Sequence, residues 1–96
     1  MSRAFVNEDA GSGDALGKYP LPERDDPAFP LAAARVLLRG ADQGDTVGAE
    51  AATGFYWGDP ALEREVSQLL AEAREEGNER MEQLAGRYLR RMQRSK

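Results

Sequence analysis

Past residue 59 the apolar positions fall at three- and four-residue steps. Leu62, Val66, Leu69, Leu70 and Ala73 share one face of a 3.6-residue period, which predicts an amphipathic helix. Its opening is written just before it: the Asp59 carboxylate can cap free amides, and Pro60 takes the first helical position, where no amide donor is needed. Gly77 suits the left-handed conformation that ends a helix, and Asn78 after it is a good cap for the next one. Met81, Leu84, Ala85, Tyr88, Leu89 and Met92 then make a second stripe, which predicts a helix running to about residue 93. So short a turn makes the two helices antiparallel.

The same plan stands 33 residues earlier. Asp26, Pro27 and Ala28 return as Asp59, Pro60 and Ala61; Leu37 returns as Leu70, Gly44 as Gly77 and Ala52 as Ala85. Chemically similar pairs keep that register: Phe29 with Leu62, Val36 with Leu69, Asp45 with Asn78, Ala51 with Leu84, and Phe55 with Tyr88. A pseudo-repeat over 26–58 and 59–91 follows. In the first copy a helix opens at Asp26 and Pro27 over Phe29, Ala33, Val36 and Leu37. Gly44 and Asp45 then turn it into a weaker one, which Gly48 and Gly54 limit to an end near Thr53, since an interior glycine costs on the order of 1 kcal/mol.

Residues 1–25 lack any such period. They are rich in Gly, Ser, Pro and acids, with Phe5, Val6, Leu16, Tyr19 and Leu21 scattered among them, and they predict a disordered leader open to docking on a partner. The expected fold is all-α: two tandem helix-turn-helix hairpins forming a small four-helix domain over 26–96, behind that leader.

Composition narrows the chemistry. The 96 residues include no cysteine and no histidine, so disulfides, thiolate or imidazole metal sites, and imidazole-based catalysis are excluded. A metal would have to be a hard cation on carboxylates, and no cofactor is expected. Ser67 and Thr53 have no histidine to activate them, and no glycine-rich phosphate loop is present, so the expectation is a protein that is not an enzyme. No stretch approaches the length of an apolar membrane span and no basic-then-apolar signal layout opens the chain, which makes the cytoplasm the expected compartment. The net charge of −4 is unevenly placed: residues 87–96 hold five basic groups and no acid, behind an acidic body. That balance argues against broad nucleic-acid binding and leaves only the tail to touch a phosphate backbone.

Three surface features carry candidate function. Phe55, Tyr56 and Trp57, bracketed by Gly54 and Gly58, gather rigid, amphipathic rings between the repeats. They are either a protein-binding patch or a plug that fills the small core, with Trp57 the ring expected to remain partly exposed because its repeat partner is Arg90. Arg87, Arg90, Arg91 and Arg94 lie three and four apart on one flank of the last helix; they either complement the helix dipole or contact a phosphate or an acidic partner. Glu72, Glu75, Glu76, Glu79 and Glu82 crowd the tip of the second hairpin, as a solvated end or as a carboxylate cluster for a cation or a basic partner. Binding to another protein is the expected function, and two hairpins leave self-association through an unsatisfied apolar edge open.

Two resemblances add to this. LLRGAD at 37–42 resembles the helix-end signature of ankyrin repeats, whose period is similar, but the threonine-proline-leucine-histidine opening is missing. SRAFVNED at 2–9, followed by LPER at 21–24, resembles the amino-terminal leader of small bacterial proteins related to Gre-type transcription elongation factors. In those proteins the leader precedes a helical hairpin and a β-rich domain that engage RNA polymerase. No β-rich domain is predicted here. The hairpin around Gly77 carries acids at its tip, as Gre-type hairpins do, but helices of about 16 residues reach only about 24 Å, and its acids do not map one by one onto the family motif. The resemblance therefore implies a link to transcription and assigns no residue a role.

Overall fold

The computed structural model describes residues 19–94. Four α-helices, α1 (Phe29–Asp42), α2 (Thr46–Thr53), α3 (Glu63–Glu76) and α4 (Glu79–Arg94), and a 3-10 turn at Pro60–Leu62 account for its regular structure; there is no strand among the described residues. The all-α fold of two tandem hairpins is as the periodicity requires. α1 pairs with α2 and α3 with α4, and α1 also packs on both helices of the second hairpin.

The two hairpin turns are built alike, bond for bond. Gly44 and Gly77 both hold positive φ, at 74° and 71°. The Asp45 amide donates to the Gly40 carbonyl at 2.7 Å, and the Asn78 amide to the Ala73 carbonyl at 2.8 Å, which closes the last helical turn in each copy. Asp45 then accepts from the Gly48 amide at 3.2 Å and Asn78 from the Met81 amide at 3.1 Å. Helix entry repeats too. Asp26 accepts from the Ala28 amide at 2.8 Å and Asp59 from the Ala61 amide at 2.9 Å. Each of these pairs is separated by the sequence offset of 33. The sequence places the start of each α-helix at its proline, and in neither copy does it begin there. A single turn intervenes, so that α1 starts at Phe29 and α3 at Glu63.

Both turns lie at one end of the domain. Arg80, just past the second turn, makes an ion pair of 2.6 Å with Asp42 at the end of α1, and Arg35 reaches Glu72 across the hairpins at 3.3 Å. These pairs are exposed and fix alignment more than they stabilise, contributing at most about 1 kcal/mol each.

α1 is the centre of the core. Phe29, Ala33, Val36 and Leu37 face inward as the stripe predicts, and Ala34, Leu38 and Gly40 are buried as well, because neighbours cover the helix on three sides. Leu62, Val66, Leu69, Leu84, Ala85 and Tyr88 meet it from the second hairpin. Met92 is buried at the far end of α4.

The boundary expected at Asp26 falls earlier. Tyr19, assigned by its scattered surroundings to the leader, is only 1 % exposed and belongs to the core cluster, with Leu21 packed against it. Its hydroxyl donates to Asp45 Oδ2 at 2.8 Å, next to the first turn. Five residues later the Arg24 guanidinium lies 5.4 Å over the Phe29 ring, at the opposite end of α1. Residues 19–24 are therefore a strap along the first hairpin. Two apolar side chains with no helical or strand period give no signal of this, since what they meet is distant in the chain, Asp45 lying 26 residues from Tyr19. Within LPER, Leu21 and Arg24 are both packing residues. SRAFVNED and the rest of the leader to residue 18 lie outside the described residues.

Candidate functional site

The segment between the hairpins is a tightly folded connector. Gly54 ends α2 at φ 81°, and Gly58 follows at φ 89°. Thr53, fully buried, donates its hydroxyl to the Ala49 carbonyl at 2.9 Å and accepts the Phe55 amide at 3.1 Å, so its hydroxyl is satisfied both as donor and as acceptor at the exit from α2. Glu50 accepts the Trp57 amide at 2.8 Å. The loop is thus held by two side chains of α2 that apolar periodicity does not single out.

Its three rings part company. Phe55 packs on Phe29 with ring centroids 6.4 Å apart, and Trp57 meets Tyr88 edge-to-face at 5.0 Å. Both are half-buried against the core. Tyr56 between them points outward and is 53 % exposed. Phe55 and Trp57 thus serve the plug, although Trp57 does stay partly exposed, and the ring that the surface presents is Tyr56. The reason is that both flanking rings pack against the core, while Tyr56 opens the turn that the Asp59 amide closes on its carbonyl at 3.0 Å.

Tyr88, fully buried, anchors the connector from α4 by donating its hydroxyl to the Asp59 carbonyl at 2.8 Å. Burial, followed by the Asp59 charge, pushes its phenol well above the ordinary value of 10.0. The folded state therefore keeps a proton that the unfolded chain loses. The stabilisation is complete below pH about 10 and is lost as the pH rises beyond it. Unfolding free energy measured across that range should fall with a steeper slope in the natural protein than in Tyr88→Phe; equal slopes would mean that the phenol titrates freely in water.

Of the arginine flank, Arg87, Arg90, Arg91 and Arg94 are all exposed on α4. The structure joins one of them to the aromatic segment: the Arg91 stem lies so close to Gly58 that a Cβ there would come within 2.6 Å of its Cγ. Among the described residues Arg87, Arg90 and Arg94 form no ion pair. At the other end the acidic tip is partly neutralised, with Glu72 on Arg35 and Glu82 on Arg74, each at 3.3 Å. Among the described residues no group of three or more acids converges on a common point suited to a metal. No helix is long and apolar enough to cross a membrane among the same residues.

An open groove of about 640 Å³ runs along the outer face of α3 and α4, with Leu70 and Gly86 at its middle, Glu79, Glu82 and Arg74 toward the tip, and Arg87 and Arg90 toward the base. In the sequence the acids and the arginines stand as separate features, and nothing there marks Gly86. No protein-family model, curated protein or solved structure matches this chain.

Proposed function

We propose that the protein is a non-enzymatic module that binds another protein through the connector between its hairpins. The observation that carries this is Tyr56, a large ring 53 % exposed on a loop whose neighbours on both sides are fixed. Phe55 and Trp57 pack against the core, the Trp57 amide is bonded to Glu50, and the Arg91 stem closes over Gly58. A tyrosine so held loses little conformational freedom on binding and offers both apolar area and a hydroxyl, which is the profile of an interface anchor.

Tyr56→Ala removes that ring without touching the core. The variant should melt at the temperature of the natural protein and bind its partner roughly 10- to 100-fold more weakly, as expected for an aromatic hot spot. The check is affinity capture from a lysate of the native host with both proteins side by side, followed by titration of any protein captured by the natural chain alone. Capture of an identical set by Tyr56→Ala would leave the connector with a structural role only. Trp57→Ala is the weaker test, because its ring also packs on Tyr88.

A further inference from the structure

Along α4 the residues that line the groove are Glu79, Glu82, Gln83, Gly86, Arg87 and Arg90. They are spaced three, one, three, one and three apart, so they fall on one helix face, with acids at its start, arginines at its end and a glycine near its middle. That order is self-complementary. Laid antiparallel on a second α4 about a two-fold axis between Gln83 and Gly86, the face sets Glu79 opposite Arg90, Glu82 opposite Arg87, and Gln83 opposite Gly86. Two-fold symmetry makes every such pair occur twice.

Gly86 supports the same arrangement. An interior helical glycine weakens a helix relative to alanine, and this one has no internal reason to be there. The nearest atom a Cβ would meet is Arg90 Nη1 at 3.5 Å, an ordinary contact, and its φ is not positive. Gly40 is different, since a Cβ there would stand 2.5 Å from Ala49 Cβ. The bare backbone at Gly86 thus lines the groove with only the flexible end of Arg90 over it, which leaves a side chain of a facing helix room to approach. Arg87 and Arg90 have no ion-pair partner among the described residues, and Glu79 has none either. Glu82 has only the exposed contact with Arg74.

We infer that the outer face of α3 and α4 is an interface for a second copy of this chain, packed antiparallel on α4 with Glu79 paired to Arg90 and Glu82 to Arg87. The surface is distinct from the connector, since Tyr56 does not line the groove, so this inference and the proposed function stand or fall separately. One helix face makes a small, charged contact, and the dimer is accordingly weak and sensitive to salt.

Sedimentation equilibrium of the full chain, up to about 1 mM protein and in about 50 mM and 500 mM salt, tests it. The expected result is a monomer–dimer equilibrium that shifts toward monomer in the higher salt. Glu79→Arg or Arg90→Glu alone turns two attractions into two repulsions and should weaken the dimer by about tenfold or more; the double variant restores both pairs in reverse and should recover the natural affinity. Gly86→Leu should leave a monomer with an undiminished melting temperature, because the nearest atom its Cβ meets within the chain is the flexible end of Arg90 and the added bulk occupies the groove. A chain that stays monomeric at low salt overturns the inference, as does a dimer indifferent to these changes or a double variant no tighter than the singles.

Discussion

Tyr19→Ala should cost about 3–5 kcal/mol, the range for deleting a buried aromatic side chain. The described body of the protein has only about 4–11 kcal/mol of stability to lose, on the usual scale per residue. The substitution should therefore lower the melting temperature by at least roughly 12 °C, and thermal unfolding followed by circular dichroism is the measurement. The size follows from the position. The ring is 1 % exposed in the core cluster, and its hydroxyl holds Asp45, which also caps α2. Tyr19→Phe keeps the ring and loses one hydrogen bond, at about 1 kcal/mol. A chain truncated to begin at Asp26 should be damaged at least as much as Tyr19→Ala, since it also loses Leu21 and the Arg24 contact with Phe29. Unchanged melting of Tyr19→Ala would return residues 19–25 to the leader.

Gly40→Val should destabilise by about 2–3 kcal/mol, toward the upper end for overpacking, although helix propensity alone favours replacing this glycine. The steric term wins because the obstacle is not a flexible chain end. A Cβ at residue 40 would stand 2.5 Å from Ala49 Cβ on α2 and 3.0 Å from the Asp45 carbonyl oxygen. The helices of the first hairpin must then separate, and the Asp45 amide bond to the Gly40 carbonyl strains with them. Chemical denaturation of Gly40→Ala, Ala49→Gly and the double variant isolates the contact. The double should be more stable than the sum of the singles implies, because the second change removes the nearer clashing atom. Strict additivity would mean that the hairpin relaxes by some other route.

How legible the fold was depended on whether the relevant information is local. In their capping and turning roles Asp45, Gly77, Asn78 and Asp59 act within two to five residues of themselves, as the side chain or backbone freedom of each implies. The stripes of α3 and α4 were equally readable, and the 33-residue offset reappears as matching hydrogen bonds in the two hairpins. The candidate site was readable only in outline. Phe55, Tyr56 and Trp57 could be marked as a cluster, but which ring remains outside depends on Phe29 and Tyr88, each more than 25 residues away.

By itself, then, the sequence determined an all-α chain of two hairpins, where each turn falls, and which chemistries its lack of cysteine and histidine removes. Those properties follow from hydrogen bonds and dihedral preferences between near neighbours, and from residue types that need no context. The tertiary structure alone decided that Tyr19 belongs to the core, that Gly40 is a point of close helix approach while Gly86 is bare, and that Tyr56 is the exposed ring. Each of these depends on which distant surface is brought within van der Waals reach, and burial of that kind leaves no periodic mark on the short, irregular segments it recruits.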